Sequence, residues 1–168
     1  QTSWAALSAA DQREMKEVAQ VLKNAAAECS AEAAYSLGIM YFNGRGVQQD
    51  YAEAVKWYHR AAEQGDAKAQ FNLGVMYEKG QGVQQDFAEA VKWYRRAAEQ
   101  GHAQAQFNLG GMYAGGTGVR QNYAEVVKWY RRAAEQGDVG AQYNLGVMHT
   151  NGTGVQQNYA EAVKWYRR

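Results

Sequence analysis

The chain has 168 residues, 46% of them hydrophobic and 21% charged, with a formal net charge of +1. That balance gives no bulk attraction for nucleic acid or an anionic membrane, and no apolar run approaches the ~20 residues of a membrane-spanning helix. One cysteine, Cys29, excludes an intramolecular disulfide and leaves the redox compartment open, and the absence of proline removes ring-induced kinks.

Residues 1–7 are expected to be mobile or to cross the first helix pair. The chain starts at Gln1 rather than methionine, as a processed or trimmed chain would, so a signal peptide would no longer be visible. From Ser8 the pattern predicts a helix near 9–29, with Ser8 and Asp11 placed as in a capping box. "VAQVLKNAAAEC" lies over "AVKWYHRAAEQG" thirty-six residues later, so Val18, Leu22, Ala25 and Ala26 take the places of Ala54, Tyr58, Ala61 and Ala62. Residues 1–30 therefore read as a degenerate second helix capping an array, with Arg13, Lys16, Glu17 and Lys23 supplying the polar face that such ends need. Cys29 replaces a helix-ending glycine, and a small buried or half-buried thiol is expected there.

From residue 31 the sequence repeats with a period of 36 in four copies: 31–65, 66–101, 102–137 and 138–168, the last truncated. A period of this size signals stacked supersecondary units. In the second copy, Ala69, Leu73, Met76 and Tyr77 keep to one helix face, opened by Asp66 and closed by Gly80. A second helix starts at Asp86, with Glu89 three residues on, and Phe87, Ala90, Val91, Tyr94, Ala97 and Ala98 form its apolar stripe. The expected helices are 31–43 and 51–64, 67–79 and 87–100, 103–115 and 123–136, 139–151 and 159–168.

A Gly-x-Gly-Val turn joins the helices in every copy. It lacks the Lys-Ser of a phosphate loop and reads as a tight turn. A glycine also recurs inside each first helix, at Gly38, Gly74, Gly110 and Gly146, where it costs about 1 kcal/mol against alanine, so another helix backbone is expected against it. Trp57, Trp93 and Trp129 are expected to be buried packing blocks in equivalent surroundings. Trp165, with no fifth copy over it, should be more exposed. Val163 and Tyr166 should be partly uncovered, which suggests either a longer parent protein or an end-to-end self-contact at the C-terminal repeat.

"AQFNLGVMYEKGQGV" followed by "DFAEAVKWYRRAAEQGHA" resembles the Sel-one-like repeat (SLR), a relative of the tetratricopeptide repeat, over about residues 31–168. The resemblance implies an all-α fold, a right-handed α-solenoid superhelix of antiparallel helix pairs, with a concave groove lined mainly by first helices. It also implies an adaptor or scaffold, often bacterial and periplasmic or secreted. The lack of paired cysteines departs from the disulfide-bearing subgroup.

Nothing assembles a catalytic site, a metal site or a cofactor site. His59, His102 and His149 lie in different copies and phases, with no H-E-x-x-H. There is no G-x-S-x-G, and Ser3, Ser8, Ser30 and Ser36 begin no S-x-x-K. His149 stands where Tyr41, Tyr77 and Tyr113 stand elsewhere and reads as a half-buried packing variant. The charges of the second helices, such as Glu89, Lys92, Arg95, Arg96 and Glu99, read as a solvated outer face rather than a nucleic-acid stripe.

Function must then lie in a surface, and differences among the copies point to it. Positions that vary are Glu32, Lys68, Gln104 and Gly140; Ile39, Val75, Gly111 and Val147; Phe42, Glu78, Ala114 and Thr150; and Asn43, Lys79, Gly115 and Asn151. The first, second and last sets share one strip of the first helix with Ser36, Asn72, Asn108 and Asn144. The family resemblance turns that strip to the groove. The asparagines either hold a peptide backbone or brace adjacent first helices through a hydrogen bond. The expected function is a non-enzymatic protein–protein interaction scaffold that binds a peptide or partner protein. The alternatives are an extracytoplasmic toxin-inhibitor, immunity or host-interaction protein and, remotely, a hydrolase. Nucleic-acid binding, membrane insertion and cofactors are not expected.

Overall fold

The computed structural model describes residues 6–28 and 30–168. The expectations for residues 1–5 and for the Cys29 thiol fall outside them. The described residues form helices α1 (Ala9–Ala27), α2 (Ala31–Asn43), α3 (Tyr51–Glu63), α4 (Ala67–Lys79), α5 (Phe87–Glu99), α6 (Ala103–Gly115), α7 (Tyr123–Glu135), α8 (Val139–Asn151) and α9 (Tyr159–Tyr166), with no strand among them. Every expected boundary holds to within two residues. The fold is all-α, of the helical-repeat solenoid class. The chain forms two compact units, residues 1–85 and 86–168. In the first, α1 packs on α2, α2 on α3 and α3 on α4. In the second, consecutive helices from α5 to α9 pack in the same manner.

The caps show why these segments start and stop where they do. Ser30, Asp66 and Asp138 accept the backbone N–H of the third helical residue, and His102 does so through Nδ1 at 3.2 Å. Each first helix ends on a left-handed glycine, Gly44, Gly80, Gly116 and Gly152. The second helices carry only half of a capping box. Asp50, Asn122 and Asn158 cap with their side chains, but Glu53, Glu125 and Glu161 turn to Lys56, Lys128 and Lys164. The cap residue's own N–H already donates to a first-helix carbonyl, that of Tyr41, Tyr113 or His149, so no glutamate is needed there.

Leu37, Leu73, Leu109 and Leu145 are fully buried, as are the paired alanines Ala61 and Ala62, Ala97 and Ala98, and Ala133 and Ala134. Each buried leucine contributes roughly 1.5–3 kcal/mol. The glycine inside each first helix has a different neighbour from the helix backbone expected for it. A methyl added at Gly38, Gly110 or Gly146 would meet the ring of Tyr58, Tyr130 or Tyr166 at 2.3–2.6 Å. The second helix therefore seats a tyrosine ring on the bare backbone. A first-helix aromatic flanks the same ring: Tyr35 on Tyr58, Phe107 on Tyr130 and Tyr143 on Tyr166, with centroids 5.5–6.0 Å apart. In the turn, the second glycine fits against the start of the preceding second helix. A methyl on Gly82 would lie 2.4 Å from Tyr51 backbone, and one on Gly118 2.2 Å from Phe87 backbone.

Three expectations need correction. Trp165 is as buried as Trp93, each 6% exposed, whereas Trp57 is only partly buried. The cover comes from the arginine three residues on: Arg168, just past the end of α9, lies 4.6 Å over the Trp165 ring, as Arg96, Arg132 and Arg60 lie over Trp93, Trp129 and Trp57. Arg60 is the most distant, at 5.9 Å. In α1, Val18 is exposed and Ala19 is buried instead. His149 is buried rather than half-buried. Val163 and Tyr166 are 43% and 48% exposed, as expected for the last pair.

Gly110 and Gly111 make a sharp comparison. Gly110→Ala should destabilise by about 1–3 kcal/mol, because the methyl overlaps the Tyr130 ring. At Gly111 the nearest atom is 3.8 Å away, so Gly111→Ala should stabilise by about 0.5–1 kcal/mol through helix entropy. Urea unfolding of the two variants measures both signs.

Candidate functional site

In residues 1–85, the varying positions of α2 and α4 converge on one hollow. Ile39, Phe42 and Asn43 from α2, with Asn72, Val75 and Met76 from α4, surround a cavity of about 300 Å³ against Tyr58 of α3. Phe42 is fixed edge-on against Tyr51, 5.2 Å between centroids, and the Asn43 amide donates to the Ile39 carbonyl. Glu32 lies apart, in another hollow with Leu22, Ser30, Ala33 and Ser36. Lys68 and Lys79 are exposed on the α4 row, and Glu78 is partly buried.

In residues 86–168 the same rows are uncharged. Gln104, Gly111 and Gly115 are exposed on α6, and Asn108 and Ala114 are half-buried. On α8, Gly140 and Asn151 are exposed, with Asn144, Val147 and Thr150 half-buried. Thr150 Oγ1 donates back to the Gly146 carbonyl.

The asparagines turn toward tyrosines. Asn72 hydrogen-bonds the Tyr58 hydroxyl and that of Tyr35, and Asn144 hydrogen-bonds Tyr130. Burial pushes the Tyr58 hydroxyl far above its ordinary range; neighbouring Tyr35 adds to this and the Asn72 bond opposes it. Tyr130 is raised by burial in the same way, against the Asn144 bond. Asn72 thus reaches Tyr35 of the adjacent first helix α2, the bracing contact expected, whereas Asn144 meets Tyr130 of the second helix α7. A parallel set escaped the sequence reading. Gln70, Gln106 and Gln142 are buried, and each donates to the carbonyl of Ala62, Ala98 or Ala134 at 3.0–3.1 Å. Each of these carbonyls also accepts the N–H of a turn glycine, Gly65, Gly101 or Gly137, so the glutamine uses its second lone pair. The signal was the recurring Ala-Gln-aromatic-Asn run, with Ala34 in the first copy.

The outer faces of the second helices hold short-range ion pairs and cation–π contacts, and on α5 Glu89, Lys92, Trp93, Arg95, Arg96 and Glu99 line a hollow of about 450 Å³. Lys128 and the Trp129 indole N–H both donate to Glu125, the latter at 2.8 Å. Glu161 turns to Lys164, and the Trp165 Nε1 is buried without an acceptor. Partial burial pushes the Glu125 carboxyl up, but its bonds to Lys128 and Trp129 outweigh that and hold it below the usual carboxylate range. His59 pairs with Glu63 at 3.3 Å, His102 caps α6, and His149 is buried with both ring nitrogens unpartnered. The three histidines converge on no common centre. Among the described residues no cluster could hold a metal ion, and no helix is long and apolar enough to cross a membrane.

Two outcomes follow. Asn144→Ala, which strands the buried Tyr130 hydroxyl, should lower stability by about 1 kcal/mol, whereas Asn151→Ala, at an exposed position, should change it by less than about 0.5 kcal/mol. Thermal denaturation compares them. For Glu125 the folded carboxyl titrates below the unfolded one, so its contribution is present above the ordinary value of ~4.3 and is lost as pH falls through the folded value. Glu125→Gln should therefore lower the melting temperature at neutral pH, and the gap should close in the acid range below ~4.3.

The repeated helix pairs match a known family model. Sel1 repeats are found at residues 31–66, 67–102, 103–138 and 139–168. Among solved structures, the chain is similar to c5321, described as a protective antigen present in uropathogenic Escherichia coli strains and displaying an SLR fold, with 45% identity and a TM-score of 0.84 over 89% of this chain. A Sel1 repeat protein from Oxalobacter formigenes is 42% identical over 92% of this chain, with a TM-score of 0.84. The chain spans only 32% and 65% of those two proteins. The immunity protein Pa5087 from Pseudomonas aeruginosa shares 21% identity over 94% of this chain and 62% of its own, at a TM-score of 0.53, a likeness of fold alone. Comparison with curated protein sequences returned no significant match. With Sel1 repeats matched from residue 31 to residue 168, the chain belongs to the Sel1 repeat family.

Proposed function

We propose that this chain is a non-enzymatic binding module that holds a peptide segment or partner domain against the varying rows of its first helices. Sel1 repeats generally mediate protein–protein interaction. The observation that carries the reading here is the cavity between α2 and α4. Four of its seven lining residues, Ile39, Asn43, Asn72 and Val75, belong to the strip singled out because its residues differ between copies or because it carries the asparagines, and a fifth, Phe42, also varies between copies. Residues released from the common stacking duty, gathered around an open apolar hollow with amides at its edge, have the composition of a recognition site. Site-specific photocrosslinking in the native cell tests it. A benzophenone amino acid at Val75 should give a discrete adduct, and the same group at Lys56, on the ion-paired outer face, should not. Equal labelling from both positions, or none from Val75, overturns the proposal.

An extracytoplasmic setting, periplasmic or secreted, is the second part of the proposal. It is supported by the 45% identity to a protein described as a protective antigen. Fractionation of native cells with an antibody to the chain checks this placement, and recovery with cytosolic markers alone would rule it out.

A further inference from the structure

We propose that the hollow between α2 and α4 accepts one bulky apolar side chain of a peptide segment that carries acidic residues on both sides of it. The proposal rests on the protein-binding reading above and specifies the partner's chemistry.

The argument begins with α4. Its row toward the hollow is Lys68, Asn72, Val75 and Lys79, spaced 4, 3 and 4 residues apart, which keeps all four on one face. Val75 and Asn72 line the cavity, with Phe42, Ile39 and Tyr58 across from them. At about 300 Å³ the space takes a phenylalanine or leucine side chain. Five of its seven lining residues are aliphatic or aromatic and the Asn43 and Asn72 amides stand at its edge, so the occupant is apolar.

On the α4 face that borders the hollow, Lys68 and Lys79 flank Asn72 and Val75, the two residues of that face that line it. Both lysines are exposed, and among the described residues neither lies within ion-pair distance of a carboxylate. Lys68 is also placed against its own helix. It is the second residue of α4, in the first turn, where the helix dipole disfavours a cation and no acidic residue offsets it. Asp66 at the same end is engaged as the cap, accepting from the Ala69 N–H at 2.7 Å. The equivalent positions in the other copies are Glu32, Gln104 and Gly140, so a cation here is no requirement of the repeat. The acidic Glu32 of α2 faces a separate hollow beside Leu22 and Ser36. The charges on the α4 row beside the cavity are therefore of one sign, and an acidic partner complements them.

The spacing fixes the order. Lys68 lies seven residues from Val75 and Lys79 four, roughly 10 Å and 6 Å along the helix. An extended peptide advances about 3.3 Å per residue, so acids three residues to one side of the anchor and two to the other reach both lysines.

The probe is the capped, fluorescein-labelled peptide Glu-Ser-Gly-Phe-Ser-Glu, measured by fluorescence anisotropy on the full chain. Its comparators carry lysine for both glutamates or serine for the phenylalanine. The glutamate peptide should bind at least tenfold tighter than either at low salt, and the advantage over the lysine peptide should shrink at high salt. Lys68→Glu with Lys79→Glu, both at exposed sites, should reverse the charge preference while circular dichroism and melting temperature stay unchanged. Val75→Asp should weaken all three peptides. Absence of a charge preference, or one indifferent to the lysine substitutions, overturns the proposal, as does failure of the glutamate peptide to bind. If the serine-containing or lysine-containing peptides bind and lose affinity with Val75→Asp, the groove still binds peptides and only the acidic specificity falls. A discrete adduct at Val75 in cells alongside a failed glutamate peptide separates the two in the same manner.

Discussion

The seating of a second-helix tyrosine on a first-helix glycine is the contact on which the rest depends. The ring can reach the backbone only where no Cβ intervenes, so Gly38, Gly110 and Gly146 set the helix separation at Tyr58, Tyr130 and Tyr166. Once seated, the ring buries a hydroxyl that must find a partner. Asn72 supplies it for Tyr58 and Asn144 for Tyr130, each from the following first helix. The same tyrosine therefore links a helix to its partner through packing and to the next copy through a hydrogen bond. The buried glutamine two residues before each of those asparagines then ties the same first helix to the last turn of the preceding second helix.

This arrangement divides duties along the first helix. Gly, Leu and Met positions face inward and are common to all copies, because the stacking geometry allows little else. The positions that face away carry no such duty, and there the chain places Phe42 against Glu78, or Ile39 against Gly111. The two units differ accordingly: the rows in residues 1–85 are apolar and charged around a hollow, whereas those in residues 86–168 are uncharged, with glycine, alanine, valine and neutral polar residues. A chain built of near-identical copies thus acquires local chemistry through substitutions that leave the stacking contacts intact.

Helix positions were legible because the same caps and stripes appear four times, each copy checking the others. The reason for the internal glycines was not, since a period shows that something lies close but not whether it is a backbone or a ring. The exposure of Trp165 was misjudged by seeking its cover in a fifth copy; arginine three residues after each tryptophan was visible in the sequence and does the covering through its flat guanidinium. The varying rows led to Ile39, Phe42, Asn43, Asn72 and Val75, but not to Tyr58 and Met76, which complete the hollow and are the same in every copy. A criterion of difference cannot find residues that serve the stack and the site at once.

Tyr58 and Asn72 show why bracing and binding need not be alternatives. A side-chain amide offers two N–H donors and an oxygen with two lone pairs, more than the tyrosine hydroxyls beside it use. Asn72 is only half-buried and borders the open cavity, so capacity remains on the solvent side. Its position is also fixed by the tyrosines, which lowers the entropy that an incoming backbone group would otherwise have to overcome. An amide held still by the scaffold and left partly free at the surface is better prepared for a ligand than a mobile one. The contact that stacks α4 on α3 therefore also sets the floor and edge of the hollow.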